Sequence, residues 1–321
     1  MLTDVTFAKK NEELLLAYTN AKKQYVFLHI VRANVAPLLQ NVLITDNVIG
    51  MNDIINSYLG YDIYRQKQVE IGVKISQIWK PFMFGDMGKE LHFDVYDLSR
   101  AKRDLSILIQ KLQDVLLYVE PSETGLQTYS HKIRELLIVA CTEFECAIKQ
   151  YHYGDNDRTS DYVKILKDVD LTKYQIEMAG YSKPFVIRPF AGWNAKQPTQ
   201  SLPWYSAYTQ IKHNMTDAFY LATLKNCIDA VAANLVMFAV RYDARSLYRS
   251  TDMCSVLVNN TFALQLENPT IEDMYIPIFV GECSYSGALS VPFKCSNGKV
   301  IQNIFDIQTQ EPFIEKQRET K

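Results

Sequence analysis

The stretch WYSAYTQIKHN, residues 204–214, decides the fold class, because its side-chain spacing predicts a packed helix with a polar end. Three apolar side chains recur at intervals of four and three residues and share one helix face: Trp204, Tyr208 and Ile211. Lys212 and His213 project from other sides of that helix. A small and apolar run from about 217 to 240 then predicts a long helix in the core or at a dimer seam. The region therefore predicts a helical bundle that carries a Lys-His pair.

Composition restricts the class of protein. A chain of 321 residues that is 48% hydrophobic can form one large or two ordinary domains with a sizeable core. The formal net charge of −2 argues against strong nonspecific nucleic-acid binding through bulk charge, so RNA binding would need a local basic patch. Phosphate-binding glycine loops, a zinc-binding helix and a dinucleotide fingerprint are absent from the sequence. We therefore expect no cofactor and no metal.

The six cysteines indicate a reducing compartment. They contain no CxxC pair, and three of them lie in apolar helical contexts: Cys141, Cys146 and Cys227. This pattern predicts buried thiols and not a disulfide framework or a zinc site. Neither a signal peptide nor a membrane span is expected, because polar residues and Pro37 interrupt the apolar run 24–44. We expect a cytoplasmic protein without membrane contact.

The first segment, residues 1–97, is predicted to contain helices followed by a β-hairpin. Residues 11–43 are expected to form one or two helices, and residues 52–59 a short helix closed by Gly60. Two runs of alternating apolar residues predict paired strands: 69–75 and 91–95.

The second segment, residues 98–249, is predicted to be the helical bundle. Ser99 is expected to cap a helix that ends before Pro121, and a second helix is expected over about 129–150. Residues 171–203 are expected to be an extended connection, which at this length usually wraps over a core or has a function.

The third segment, residues 250–321, is predicted to be β-rich. Five runs predict strands there: 256–258, 262–266, 275–280, 289–293 and 299–305. The last two flank a turn and predict a hairpin. The strands either complete the sheet that begins near Val69 or form a separate recognition module. The expected class is α+β, mainly α, with a small antiparallel sheet from N-terminal and C-terminal segments.

The order of motifs resembles the HEPN-like helical domain. A Trp-Tyr pair, Ala-Tyr, Lys-His-Asn and a small-residue helix are similar to the last helices of such a domain. Upstream segments with similar motifs are 118–121, 128–130, 135–137, 142–145 and 189–193. The resemblance covers roughly 98–243, and it implies a HEPN-like bundle of the kind linked to prokaryotic RNA cleavage and anti-phage defence.

The chain departs from the nuclease members of that group. Those members carry an Arg shortly before the His, whereas the corresponding positions here are Ser206, Ala207 and Tyr208. Metal-independent RNA cleavage needs a group that activates the 2′-hydroxyl and a cation that stabilises charge on the phosphorane. His213 is the candidate for the first role and Lys212 for the second. On a regular helix the two side chains point about 100° apart, so a partner subunit would have to bring a second pair.

The candidate catalytic residues are His213, Lys212 and Glu143. Glu143, or alternatively Glu145, is included because a carboxylate inside the bundle would orient the imidazole and raise its pKa. The candidate substrate-binding residues are Tyr208, Asn214, Arg188 and Trp204. Arg188 is included because Arg binds phosphate bidentately. Each of these candidate residues also has a purely structural interpretation, such as a helix-end histidine, a solvated glutamate or a surface salt bridge.

Two functions stay open. The first is a HEPN-like binding or regulatory component of a prokaryotic defence or RNA-processing system, with a packed or hydrogen-bonded His213. The second is a metal-independent endoribonuclease, a toxin-like effector with His213 in a solvent-reachable cleft at a dimer interface. The expected partners are RNA, a second copy through the bundle helices, and a protein partner through the C-terminal strands.

Overall fold

The protein is α+β and mainly helical, with small antiparallel sheets. Its contacts divide the chain into two compact units, the first with residues 1–74, 79–93 and 269–321, and the second with residues 75–78 and 94–268. The computed structural model describes residues 2–11, 13–19, 23–32, 37–45, 50–70, 95–150, 158–167, 169, 171–181, 185–242, 247, 251–267, 288–294, 300–306 and 312–318.

The first unit contains a five-stranded antiparallel sheet in the order β4-β3-β2-β1-β5. Its strands are β1 (Leu2–Lys10), β2 (Glu13–Thr19), β3 (Tyr25–Arg32), β4 (Pro37–Thr45) and β5 (Asp62–Glu70). The helices predicted over 11–43 are therefore wrong. Four consecutive residues of β2, 15–18, are buried, so both strand faces are covered. A strand covered on both faces is a continuous apolar run, which periodicity cannot separate from a buried helix.

A short helix connects β4 and β5 along the chain. It begins as α1 (Met51–Asp53), continues as a π-helical turn over Ile54–Leu59, and ends at Gly60 with a φ of +70°. Glycine adopts this left-handed conformation without steric cost. The predicted helix over 52–59 and its glycine end are confirmed. The helix packs into a cluster with Tyr61, which precedes β5, and with four side chains of the sheet: Ala8, Leu15, Ala17 and Phe27.

The first unit also contains a separate three-stranded antiparallel sheet. Its strands, in spatial order, are Pro312–Arg318, Val300–Asp306 and Ala288–Lys294. The predicted hairpin between 289–293 and 299–305 is confirmed. The described strands of the predicted N-terminal and C-terminal segments belong to three sheets and not to the expected single one. Of the strands predicted over 69–75, 91–95 and 275–280, residues 69–70 lie in β5 as expected, whereas Val95 lies in a helix. The other residues of these three runs lie outside the described residues.

The second unit is built mainly from helices. In chain order these are α2 (Val95–Leu116), α3 (His131–Lys149), α4 (Thr159–Tyr162), α5 (Pro203–His213), α6 (Met215–Ala218), α7 (Leu224–Tyr242) and α8 (Met253–Thr261). Helix α7 contacts α2, α3 and α5, and nearly all of its side chains are buried. It is therefore the central core helix of this unit. In the parts of the chain that are described, no helix is both long and apolar enough to cross a membrane.

Three helices differ from the sequence expectations, two in their boundaries and one because a strand was predicted there. Helix α2 begins at Val95, one turn before Ser99. The helix expected over 217–240 is divided into α6, a 3₁₀ turn over Phe219–Leu221, and α7. The division occurs at Thr223, whose Oγ1 accepts a hydrogen bond from the Asn226 backbone N–H and so begins a new helix. The run over 256–258 lies in α8 and is not a strand, since a short apolar run fits either structure.

A small antiparallel sheet covers part of the helical unit. Its strands are β6 (Tyr174–Met178), β7 (Val186–Ile187) and β8 (Phe262–Leu266), in the order β7-β6-β8. The strand predicted over 262–266 is confirmed. The connection over 171–203 supplies the other two strands, so it is more regular than expected.

Candidate functional site

Helix α5 begins with Pro203 at its first position, where the missing N–H costs nothing. Its apolar face is buried as the spacing predicts. Trp204 is 1% exposed, and its indole Nε1 donates a hydrogen bond to the Pro189 carbonyl at 2.7 Å. Its ring meets Phe144 edge-on, with the centroids 5.1 Å apart. This burial gives Trp204 a structural position in the core, with no face open to a substrate.

The polar end of α5 lies at the surface. Lys212, His213 and Asn214 are all exposed. Within the described part of the chain, the side chain of His213 has no hydrogen bond and no ion pair, so the packed helix-end histidine is not what the structure contains. Asn214 has a φ of −140° and not a left-handed conformation, and its Nδ2 donates to Asp217 Oδ2 at 2.9 Å. The helix therefore ends in three polar side chains that water reaches.

Lys212 is held by a neighbour on its own helix. Its Nζ donates to the Tyr208 hydroxyl at 3.2 Å and lies 5.4 Å from the centroid of the same ring. That hydrogen bond raises the pKa of Lys212, so the ammonium is charged at neutral pH. The structure thus brings Lys212 together with Tyr208, four residues earlier on the same face. His213 projects from a different side of the helix.

The two glutamates considered as partners of His213 have other surroundings. Glu145 accepts a hydrogen bond of 2.7 Å from the Tyr205 hydroxyl, and burial together with this bond raises the pKa of Tyr205. Glu143 lies on another face of α3, next to Asp104 of α2. Burial, followed by the charge of Asp104, raises the pKa of Glu143. The structure therefore does not bring Glu143 to the exposed end of α5.

Glu143 lines a cleft of about 300 Å³ between α2, α3 and α7. Its charged and polar walls include Asp97, Arg100, Asp104, Glu143, Arg241 and Tyr242. The charges are largely paired, with Arg241 Nη2 at 3.6 Å from Asp97 Oδ2 and Arg100 Nε at 3.9 Å from Asp104 Oδ2. This cleft was not predicted from the sequence, because its residues come from three separate helices.

Arg188 lies on the small sheet. Its Nη2 donates to Glu267 Oε1 at 3.1 Å and to Gln175 Oε1 at 3.2 Å. Both acceptors belong to the same surface, so the guanidinium is part of an exposed salt bridge. This is the structural alternative that the sequence analysis left open for Arg188.

The cysteines have two kinds of environment. Cys141, Cys227 and Cys254 are buried and reduced, and burial raises the pKa of each thiol. Cys146 is exposed, so its predicted burial is wrong. Its helix turns it outward, one residue from the half-buried Glu145. The other two cysteines, Cys283 and Cys295, lie outside the described residues. Among those that are described, no three His, Cys, Asp or Glu side chains come close enough together to hold a metal ion.

A second group of exposed and half-exposed side chains includes the start of α3, and it was not predicted from the sequence. Tyr129, His131 and Arg134 contact the Phe219 ring, Tyr220 follows Phe219 in the chain, and Lys132 of α3 contacts Tyr118. These seven residues are here called the Phe219 surface. The signal in the sequence was the basic first turn of α3, which lacks an acidic residue. Without the tertiary structure, nothing connects that turn to a residue almost ninety positions later.

Comparison with known proteins found no relative of this chain. No protein-family model, no curated protein and no solved structure matches it.

Proposed function

We propose that this protein is a HEPN-like binding component of a prokaryotic defence or RNA-processing system, and that it binds RNA without cleaving it. The packed His213 expected for a binding role is not observed, so the observation that supports this proposal is the set of side chains at the exposed end of α5. This end presents Lys212, His213 and Asn214 to solvent, whereas the candidate carboxylate Glu143 lies in a different cleft.

Binding needs less from these side chains than catalysis does. An ammonium, an imidazole and an amide can each contact phosphate or sugar oxygens, and most contacts between proteins and nucleic acids are of this kind. Lys212 is positioned by its hydrogen bond to Tyr208, so less side-chain entropy is lost when it meets an anion. The end of α5 is therefore suited to hold an RNA backbone.

Cleavage would need a more exact arrangement. An acid–base group and a cation must face the same phosphate for charge to be stabilised in the transition state. Lys212 Nζ lies over the Tyr208 ring, and Glu145 is bonded to Tyr205. The arginine of the nuclease pattern is also missing. Among the described residues, neither Lys212 nor Glu145 forms a hydrogen bond or an ion pair with His213.

The test is binding of fluorescently labelled total RNA, measured by anisotropy at low and physiological salt. We expect the wild type to bind and the double variant Lys212→Gln/His213→Ala to bind at least severalfold more weakly. Lys111→Gln is the matched control, since it removes a lysine of the same unit that pairs with Glu135. Wild-type protein that is folded but binds no RNA would refute the proposal.

The exposure of His213 supports a second candidate function. In this alternative the protein is a metal-independent endoribonuclease, a toxin-like effector, in which a second copy places its Lys212 beside His213. The measurement is cleavage of labelled total RNA in the presence of EDTA by wild type and by His213→Ala. Cleavage that the substitution abolishes, by protein that is dimeric in light scattering, would establish this function. A protein partner at the C-terminal strands stays a prediction.

A further inference from the structure

The Phe219 surface combines cations with exposed aromatic rings. The Phe219 ring is contacted by His131, with centroids 4.8 Å apart, and by the guanidinium of Arg134, with its Cζ 5.5 Å from the centroid. Tyr129 meets the same ring edge-on at 5.5 Å. Lys132 Nζ lies 5.7 Å from the centroid of Tyr118. Side chains from α3 and the loop before it thus converge with a residue of the 3₁₀ turn.

Three tyrosines of this surface are turned towards solvent. Tyr118 is 81% exposed, Tyr220 is 59% exposed and Tyr129 is 49% exposed. Isolated exposed apolar residues are common, but several rings beside cations are the arrangement that single-stranded nucleic acids use. Bases stack on the rings while the cations neutralise neighbouring phosphates.

The charge of the surface favours an anion. His131, Lys132 and Arg134 lie in the first turns of α3, where the helix dipole is positive, and the first turn contains no acidic residue. The cations Lys132 and Arg134 at this end reduce helix stability slightly, so the helix itself does not explain why they lie here. Within the described part of the chain, no carboxylate forms an ion pair with Lys132 or Arg134. The helix dipole and these two side chains therefore have the same sign.

The surface is also fixed in place before any ligand arrives. Ser130 caps α3, accepting a hydrogen bond from the Ile133 backbone N–H at 3.2 Å. The Leu224 backbone N–H donates to the Thr128 carbonyl at 2.8 Å, which ties the start of α7 to the chain just before α3. An additional β-bridge joins Tyr129 to the start of α7. A surface held this way loses little entropy when it binds.

We propose that the Phe219 surface binds a single-stranded nucleic acid, with bases stacked on its tyrosines and phosphates held by Lys132 and Arg134. This inference rests on the proposed RNA-binding function and adds a second binding surface to it. Single-stranded RNA and single-stranded DNA share the chemistry that this surface recognises. A duplex buries the faces of its bases, so it does not offer the chemistry that this surface recognises.

The experiment measures the affinity of the full chain for fluorescein-labelled oligo-U and oligo-dT of equal length, by anisotropy over a salt series. We expect Lys132→Gln/Arg134→Gln to weaken binding about tenfold and to reduce the slope of log affinity against log salt by roughly 1.4, about 0.7 for each lost phosphate contact. Tyr118→Ala is expected to weaken binding by about tenfold through lost stacking, with little change in the salt slope.

Matched controls come from the first half of α2. Arg103→Gln and Tyr96→Ala remove an exposed cation and an exposed ring from this part of the helix. Tyr118 follows the last turn, and a 22-residue helix is about 33 Å long. Both controls should bind like wild type. Because Lys132 and Tyr118 are exposed, Lys132→Gln and Tyr118→Ala serve as variants that leave folding intact, which thermal unfolding would verify.

The outcomes separate this inference from the proposed function. Loss of binding in the Phe219 variants alone supports the inference, with RNA, DNA or both as the ligand. Binding to DNA but not to RNA would support this surface and refute the proposed function. Binding to RNA that is unchanged in the Phe219 variants but lost in Lys212→Gln/His213→Ala would refute this surface only. If neither oligonucleotide binds, the proposed function and the nucleic-acid site at the Phe219 surface are both refuted. The exposed rings would then be candidates for contact with a protein partner.

Discussion

Two aromatic clusters in the helical unit differ in their surroundings more than in their composition. The buried cluster centres on Phe144, whose ring contacts Phe190, Trp193, Trp204 and Tyr205. Both tryptophans in it satisfy their indole N–H groups with backbone carbonyls, of Pro189 and Pro198. The Phe219 surface is exposed to solvent and contains cations, whereas the buried cluster is surrounded by apolar side chains.

An aromatic-rich motif therefore does not by itself indicate a binding site. The stretch over 204–214 attracts attention in the sequence, yet its rings form the core. The rings at the surface come from positions without a recognisable motif. A ring contributes to the core when its polar atoms have internal partners and its faces are covered, and it is available for binding when they are not.

The largest expected effect would test the buried cluster. Trp204→Ala should lower the free energy of unfolding by about 3–5 kcal/mol, because it removes a fully buried ring and leaves a cavity. Tyr220→Ala, which removes an exposed ring, should change it by about 0.5 kcal/mol or less. Urea unfolding curves of the two variants measure this contrast. Similar losses in both would break the comparison.

The next effect concerns the edge of the buried cluster. Tyr205→Phe removes the hydroxyl that donates to Glu145, and it should cost about 1–3 kcal/mol because the carboxylate loses a partner in a partly buried place. Glu145→Gln keeps an acceptor and should cost less. Unfolding of both single variants and the double variant forms a thermodynamic cycle. Additive losses would show that the bond contributes no coupling.

A smaller effect depends on pH and concerns Asp229, which is buried on α7 and bonded to Lys225 at 2.7 Å. Burial, the largest influence, raises the pKa of Asp229 although Lys225 lowers it. The folded state thus binds this proton more tightly than the unfolded state, so the stabilising contribution is present at low pH and is lost as pH rises through the folded pKa.

An asparagine side chain at this position cannot titrate, so Asp229→Asn should gain stability relative to wild type as the pH rises from about 3 to 7, by about 1 kcal/mol or less. Thermal unfolding across this range measures the difference between the two proteins. Asp217→Asn is the control, because that carboxylate is exposed on the short helix α6. A difference that shrinks as pH rises would contradict the expected sign.

The smallest change in the free energy of unfolding is expected for substitution of Arg188. Its exposed salt bridge to Glu267 should contribute about 0.5 kcal/mol or less, because solvent screens surface pairs. Arg188→Gln should therefore leave urea unfolding and RNA affinity almost unchanged. A severalfold loss of RNA affinity would place Arg188 on the binding surface. The exposed binding surface would then include part of the small sheet.

Local sequence patterns were sufficient to predict an element that has one buried face or that ends at a characteristic residue such as glycine. Helix α5 follows the spacing of Trp204, Tyr208 and Ile211, and the short helix ends at Gly60 as expected. The same patterns failed over 11–43, because β2 is covered on both faces and loses the alternation that marks a strand. They failed again at Thr223, where a local cap divides a continuous apolar run.

Four features could be predicted from local sequence: the α+β class, the apolar face of α5, the Lys-His pair at its end and the hairpin in the C-terminal segment. These features depend on neighbours within a few residues, so their periodicity is visible in the chain. Only the tertiary structure decided that Glu145 meets Tyr205, that Glu143 lines another cleft, and that Phe219 joins His131 and Arg134. Such contacts link positions that are distant in the chain, and they are set by how helix packs on helix, which local periodicity does not encode.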